Sequence, residues 1–436
     1  MNLEPAFNFV AGEPSVLLHH GQSKICIDGH SYVGDGEVRL DLSPRAGIYL
    51  YGYFKNVPAK VAMEASIGQK EINSFSINGR PIEGFQLSSQ ISSGSDVNSQ
   101  EYNIKWRPKS EPIIGIGDES TQMILVVFHV FNFVDLIGAR RSKEQSGTTI
   151  HYIEHVDLSG EEWKVELKSL ISTRDNIRRL KEEGGYGLTH VGGIQKAKGT
   201  PFLGKEAEEC LKALRFFLSF AKGGWCEPIC AVGSDASSNC VWESWSSPRE
   251  PWYVPLSWFD PHYGSQLATL FPGFMKRWAN DDWREALHEV IYWYLHANFF
   301  SHGIDAGIIL AQAAIERLSY EYAVKDKKLL TANGFKDLRA SDKFRLLFSS
   351  LEIPLDIPGE TPELQRLAAK GQQNWLDTPH TLTEVRNSLV HPKHKCRSEF
   401  ASAYWEAWNL GLWCLEMGLL AICGYSGTYG NRLKQR

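Results

Sequence analysis

Leu382-Thr383-Glu384-Val385-Arg386-Asn387-Ser388-Leu389-Val390-His391 reads as the last turns of an amphipathic helix. At about 100° per residue, Leu382, Val385 and Leu389 fall on one apolar stripe, and Arg386 projects at its edge, between Leu389 and Val390. A permanent charge beside a packing face must snorkel to solvent or face a polar cavity or a partner surface. Asn387 and His391, four residues apart, share a neighbouring face, and Pro392 stops the helix at His391. Lys393, His394, Lys395 and Arg397 follow at once, a short basic loop suited to holding a phosphodiester backbone.

The flanking sequence is helical as well. Helical spacing predicts Asp281 to Phe300, Gly303 to Val324, Ser341 to Leu351, Pro362 to Gly371, Leu382 to His391 and Phe400 to Cys423, with Pro354, Pro358 and Asp377-Thr378-Pro379 as breaks. The longest apolar run, Leu410 to Cys423, contains Glu416 and is shorter than the roughly 20 residues of a membrane span. It reads as a buried helix.

Toward the N-terminus the pattern changes. From about residue 20 to 172, short β-branched and aromatic runs such as Tyr49-Leu50-Tyr51-Gly52-Tyr53 and Met123 to Phe128 alternate with turn signals, as in a sandwich or barrel with long loops. Between 173 and 278 the pattern is mixed. One amphipathic helix, Lys205 to Ala221, ends at Gly223-Gly224, and an aromatic stretch from Trp242 to Phe259 broken by three prolines follows it. The glycine-rich piece Gly184 to Gly193 reads as turns. The expectation is a multi-domain α+β chain: a β-rich domain over 1–172, a mixed aromatic-rich segment over 173–280, and an all-α bundle over 281–436.

Composition sets the class. The 436 residues are 43% hydrophobic and 22% charged, which fits a globular chain long enough for more than one core. A net charge of −5 gives no overall attraction to nucleic acid, so a nucleic-acid site would need a local basic patch. Eight scattered cysteines without a dense disulfide spacing suggest a reducing, cytoplasmic setting.

An Arg followed four to six residues later by a His is cheap: in a chain of this composition it arises by chance about once for each spacing. Its context gives it meaning. The run Arg386 to His391, with polar Asn387 behind the Arg and the Val390-His391-Pro392 continuation, resembles the R-x4-6-H signature of HEPN domains. The helix from Gly303 to Leu318 and the final helix, Trp408 to Leu420, extend the resemblance to bacterial phage-defence or toxin HEPN proteins over about residues 281–436. The resemblance implies an endoribonuclease that needs no metal or other cofactor and cleaves RNA by 2′-hydroxyl attack. It further implies catalytic Arg386 and His391, supporting Asn387 and, less directly, Glu316, and RNA-phosphate contacts at Lys393, His394, Lys395 and Arg397. A homodimer through this domain, no membrane association, and a phage-derived trigger or an antitoxin as partner complete the expectation.

Two other readings compete. Some HEPN domains keep the fold and bind partners without cleaving, so a scaffold protein is the rival from a different class. Arg386 could instead sit in a salt bridge with Glu384 or Glu316, and His391 at the helix dipole. Separately, His151-Tyr152-Ile153-Glu154-His155 spells H-x-x-E-H, the pattern of a zinc hydrolase with ligands at His151 and His155. That chemistry requires a helix, whereas Thr148-Thr149-Ile150 before it and Val156-Asp157-Leu158 after it favour a strand.

Overall fold

A computed structural model describes residues 3–93, 99–138, 140–146, 149–369, 376–391 and 400–434. The chain forms two compact units, each assembled from three separate stretches: Met1–Phe133, Leu167–Cys210 and Glu227–Trp252 in the first, Val134–Glu166, Leu211–Cys226 and Tyr253–Arg436 in the second. The architecture is α+β, β-rich in the N-terminal half and helical toward the C-terminus.

The first unit opens with β1 (Ser15–Ile27), β2 (His30–Asp41), β3 (Gly47–Pro58), helix α1 (Ala59–Ser66), β4 (Ile72–Ile77), β5 (Arg80–Ile82), β6 (Gly84–Ser93) and β7 (Ser99–Pro108). The strands make an antiparallel sheet in the order β5-β4-β1-β2-β3-β7-β6. Period-2 alternation drives it: in β3, Ile48, Leu50 and Phe54 are buried while Lys55 faces water, as a half-buried strand requires. β8 (Ile113–Ile116), β9 (Gln122–Met123) and β10 (Leu125–Phe131) follow. β11 (Arg140–Ser146) and the first residues of β13 (Trp163–Ser169), with β12 (Thr149–Ser159) between them, lie in the second unit.

The chain then returns to the first unit through α2 (Thr173–Glu183), β14 (Leu188–Lys196), β15 (Phe202–Leu203) and the start of α3 (Gly204–Lys222); β16 (Pro228–Ser234) and β17 (Cys240–Trp245) complete that unit. Here β14, β10, β16, β17 and β8 lie side by side, antiparallel throughout. The glycine-rich piece expected to be turns is only partly so. Gly184 and Gly185 take positive φ, but Gly192 and Gly193 are buried within β14. A Cβ on Gly192 would stand 2.2 Å from the Phe128 ring, so glycine there makes room for an aromatic neighbour across the ladder.

The second unit holds α4 (Ser265–Trp278), α5 (Asp281–Asn298), α6 (Ile304–Tyr320), α7 (Ala332–Asp337), α8 (Ala340–Ser350), α9 (Pro362–Ala369), α10 (Thr378–Val390) and α11 (Tyr404–Ile422). Buried Trp283, Leu287, Val290, Ile291, Tyr294 and Leu295 give α5 a helical-period stripe, and the Asn280 side chain caps it by accepting from Trp283 N–H at 3.0 Å. α11 is buried around most of its circumference, as its unbroken apolar run suggested. Among the described residues no helix is long and apolar enough to cross a membrane.

Helix α4 has no counterpart in the sequence reading, because Pro272-Gly273 stands in its middle and argues against a helix. Tertiary packing overrides that preference. Leu267, Leu270, Phe271 and Phe274 are buried, and Gly273 lets the end of α11 approach so closely that a Cβ would fall 1.7 Å from the Cys423 carbonyl oxygen. Gly273→Ala is therefore expected to lose about 1–3 kcal/mol of stability through overpacking, measured by chemical denaturation. An unchanged midpoint would show that the two helices can separate freely.

Candidate functional site

Helix α10 is pinned at its start and along its buried face. Asp377 caps it by accepting from His380 N–H at 2.9 Å, Pro379 occupies the first turn where its missing N–H costs nothing, and Arg345 of α8 grips both Asp377 carboxylate oxygens at 2.6 and 3.0 Å. Halfway along, the buried Gln312 side chain of α6 donates to the Leu382 carbonyl oxygen at 2.6 Å. Such paired and bidentate contacts fix the rotation of the helix as well as its position.

The buried residues of α10 are Thr378, Pro379, Thr381, Leu382, Thr383, Val385 and Ser388. This corrects the expected stripe: Leu382 and Val385 belong to it, but Leu389 is only half-buried, and small hydroxylated residues with Pro379 fill the remaining positions. Ser388 can do so because its hydroxyl donates back to the Val385 carbonyl at 2.6 Å. Arg386 sits beside Val385 at the edge of this face, half-buried.

Among the described residues Arg386 has no hydrogen bond or ion pair. The carboxylates that could have neutralised it are engaged elsewhere: Glu316 accepts from Lys343 of α8 at 2.6 Å, and Glu384 accepts from Asn387 at 3.5 Å with His380 4.0 Å away. The salt bridge to Glu384 or Glu316 offered by the rival reading is thus not formed. His391 is the first residue beyond the helix, exposed and extended at φ −105°, its N–H donating to the Asn387 carbonyl at 3.0 Å. Arg386, Asn387 and His391 therefore gather around the C-terminal end of one rigidly held helix. Lys393, His394, Lys395 and Arg397 lie outside the described residues.

The H-x-x-E-H stretch lies on β12, as its flanks suggested. Four residues of extended chain hold His151 and His155 about 13 Å apart, too far for one ion, which removes the zinc-hydrolase alternative. Among the described residues no group of three His, Cys, Asp or Glu side chains could hold a metal. His155 has other partners: its Nδ1 lies 2.9 Å from Glu166 Oε1 and its Nε2 2.8 Å from Ser142 Oγ. Glu154 accepts from Arg141 at 2.6 Å and from Gly138 N–H at 3.1 Å.

Sequence reasoning missed a second polar centre, buried in the helical unit. Arg432 of the C-terminal tail and Glu416 of α11 are both fully inaccessible and paired at 2.7 Å. Tyr294 O–H donates to Glu416 at 2.6 Å, and Arg432 also donates to the Leu256 carbonyl and to Asn298 Oδ1, at 2.9 and 3.2 Å. The out-of-pattern Glu416 within an apolar run was the available signal for it.

Comparison with known proteins places both halves in one setting. Residues 118–254 match the family described as the YopA central domain, and residues 280–436 match the one described as the YopA C-terminal domain, so the helices from α5 to α11 correspond to a recurring domain. The chain is similar as a whole to the SPbeta prophage-derived uncharacterized protein YopA of Bacillus subtilis (strain 168), at 28% identity over 407 residues, 92% of this chain and 87% of that protein. No solved structure matches.

Proposed function

We propose that the helical C-terminal region is a metal-independent endoribonuclease of the HEPN type, acting as a homodimer in conflict between phage and host. One observation carries the reading: an arginine with no counter-charge among the described residues, half-buried on a helix held by Asp377, Arg345 and Gln312, at the same helix end as an exposed histidine. An uncompensated guanidinium at the edge of a packed face suits the binding of an anion that arrives from outside. The prophage origin of the similar YopA of Bacillus subtilis supports a phage-linked role, as a defence protein or toxin with its own trigger or antitoxin.

In this reading the 2′-hydroxyl of RNA attacks the adjacent phosphorus, giving a 2′,3′-cyclic phosphate and a 5′-hydroxyl, a reaction open to RNA and closed to DNA. His391 transfers the proton, as general base and then general acid. Arg386 stabilises the charge that grows on the phosphorane oxygens, and Asn387 orients the helix end through the main-chain carbonyl that receives the His391 N–H. A second copy of the chain would bring a second Arg386–His391 set to the same cleft.

The test compares wild type, Arg386→Ala and His391→Ala for RNA cleavage in EDTA. Loss of at least tenfold in both variants is expected, with products ending in cyclic phosphate. Equal cleavage by all three folded proteins would remove the assigned site, and a wild type inert on every RNA tried would leave the bundle a binding module.

A further inference from the structure

Three adjacent strands of the second unit bring together a set of side chains that the ribonuclease reading does not use. Ser142 on β11 lies 2.8 Å from His155 Nε2 on β12, and His155 Nδ1 lies 2.9 Å from Glu166 Oε1 at the start of β13. Arg140 donates to that same Glu166 oxygen at 2.7 Å while its Nε and Nη2 hold Asp157 at 3.1 and 3.2 Å. The brace leaves Glu166 little freedom to turn away from the imidazole.

The proton positions follow from valence. An ionised carboxylate can only accept, so Nδ1 carries the imidazole proton toward Glu166, and in the neutral ring Nε2 is then a bare acceptor that receives the Ser142 O–H. Burial raises the Glu166 carboxyl, but hydrogen bonds from His155 and Arg140 hold it below the usual range, which keeps it anionic at neutral pH. Burial is also graded in the useful direction. Glu166 and His155 are 5% and 6% exposed, whereas Ser142 is half-buried on β11, the outermost strand of its sheet.

We propose that Ser142, His155 and Glu166 form a serine-nucleophile triad that hydrolyses carboxylic esters presented at this sheet edge. Nucleophile, base and orienting carboxylate stand in hydrogen-bond sequence, the geometry by which such triads are recognised irrespective of fold. Ser142 Oγ bonds to the ester carbonyl carbon as its proton passes to His155 Nε2. The ester C–O bond breaks, and His155 returns that proton to the departing alkoxide, releasing the alcohol. Water then attacks the acyl-Ser142 carbonyl, giving a proton to His155, and the C–Oγ bond breaks with that proton restored to Ser142. The net reaction consumes one ester and one water and yields one acid and one alcohol.

The test treats the full chain with a fluorophosphonate probe, which phosphonylates an activated serine with loss of fluoride, and locates the adduct by mass spectrometry of peptides. A stoichiometric adduct on Ser142 is expected, absent from Ser142→Ala and formed at least 100-fold more slowly by a folded His155→Gln; Glu166→Gln, checked by its melting curve, should fall between. Hydrolysis of p-nitrophenyl acetate should follow the same order. An unlabelled Ser142 in folded wild type overturns the proposal whether or not any variant folds, as does equal labelling of His155→Gln. RNA cleavage plays no part in either readout, so failure here and failure of the ribonuclease reading are separate results.

Discussion

Arg432→Ala is expected to destabilise the helical unit by about 3–5 kcal/mol, the cost of leaving a buried charge without its partner. Arg432 and Glu416 are both at 0% exposure and 2.7 Å apart, and the removed guanidinium also serves the Leu256 carbonyl and Asn298. Among the described residues Tyr294 would be left as the hydrogen-bond donor to Glu416. For a unit of this size such a loss lowers the melting temperature by about 6–20 °C, readable by calorimetry. The double variant Arg432→Met/Glu416→Leu should recover much of it, because replacing a buried ion pair by apolar groups of similar volume is often neutral. A single variant that melts within 2 °C of wild type, or a double variant no better than the single, would show that the pair does not behave as a buried couple.

Acidification is expected to weaken the first unit by about 4 kcal/mol between pH 7.5 and pH 5, through two histidines folded in as neutral rings. Burial holds the His190 imidazole down at about 3 and that of His129 at about 4, against an ordinary 6.5. His129 is neutral by construction: its Nδ1 donates to the Cys230 carbonyl at 2.9 Å, and its Nε2 accepts from Ala6 N–H at 3.0 Å, so a second proton would occupy the accepting lone pair and set two N–H groups against each other. His190 packs edge-on to Phe133 at 5.5 Å, and among the described residues neither of its ring nitrogens has a hydrogen-bond partner.

Because both folded values lie below the unfolded one, the unfolded chain takes up protons first. Stability is complete above pH 6.5, falls as pH drops below it, and levels off only near the folded values of about 4 and 3. At pH 5 each histidine accounts for about 2 kcal/mol of the loss. Urea denaturation from pH 7.5 to 5 should show this slope, and His190→Leu should remove about half of it while keeping or raising stability at pH 7.5, since unpartnered buried nitrogens leave with the ring. An unchanged slope in that variant would place the acid sensitivity elsewhere.

The residues themselves explain how much could be read from sequence. Helices α5, α6, α8 to α11 and the buried character of the α11 run were legible because apolar spacing and helix-breaking prolines are local signals, although α10 begins at Thr378, within the stretch taken as a break, because Asp377 caps it. The strand under His151-Tyr152-Ile153-Glu154-His155 was legible from its β-branched flanks, and so was the rejection of a shared zinc ion. For the candidate ribonuclease site, Arg386, Asn387 and His391 and their place at a helix end were visible in sequence.

What only tertiary structure decided are matters of distance. That Arg386 finds no partner among the described residues depends on Glu316 meeting Lys343, 27 positions away, and the apolar stripe shifted because Ser388 can bury its hydroxyl against its own helix. α4 forms through Pro272-Gly273 because the end of α11 packs there. The two units interleave along the chain, an arrangement that local pattern does not encode. Ser142 and Glu166 flank His155 from positions 13 and 11 residues away, and no spacing rule singles them out. Periodicity and capping depend on neighbours in sequence, whereas pairing of charges and closure of a polar site depend on which strands and helices lie side by side.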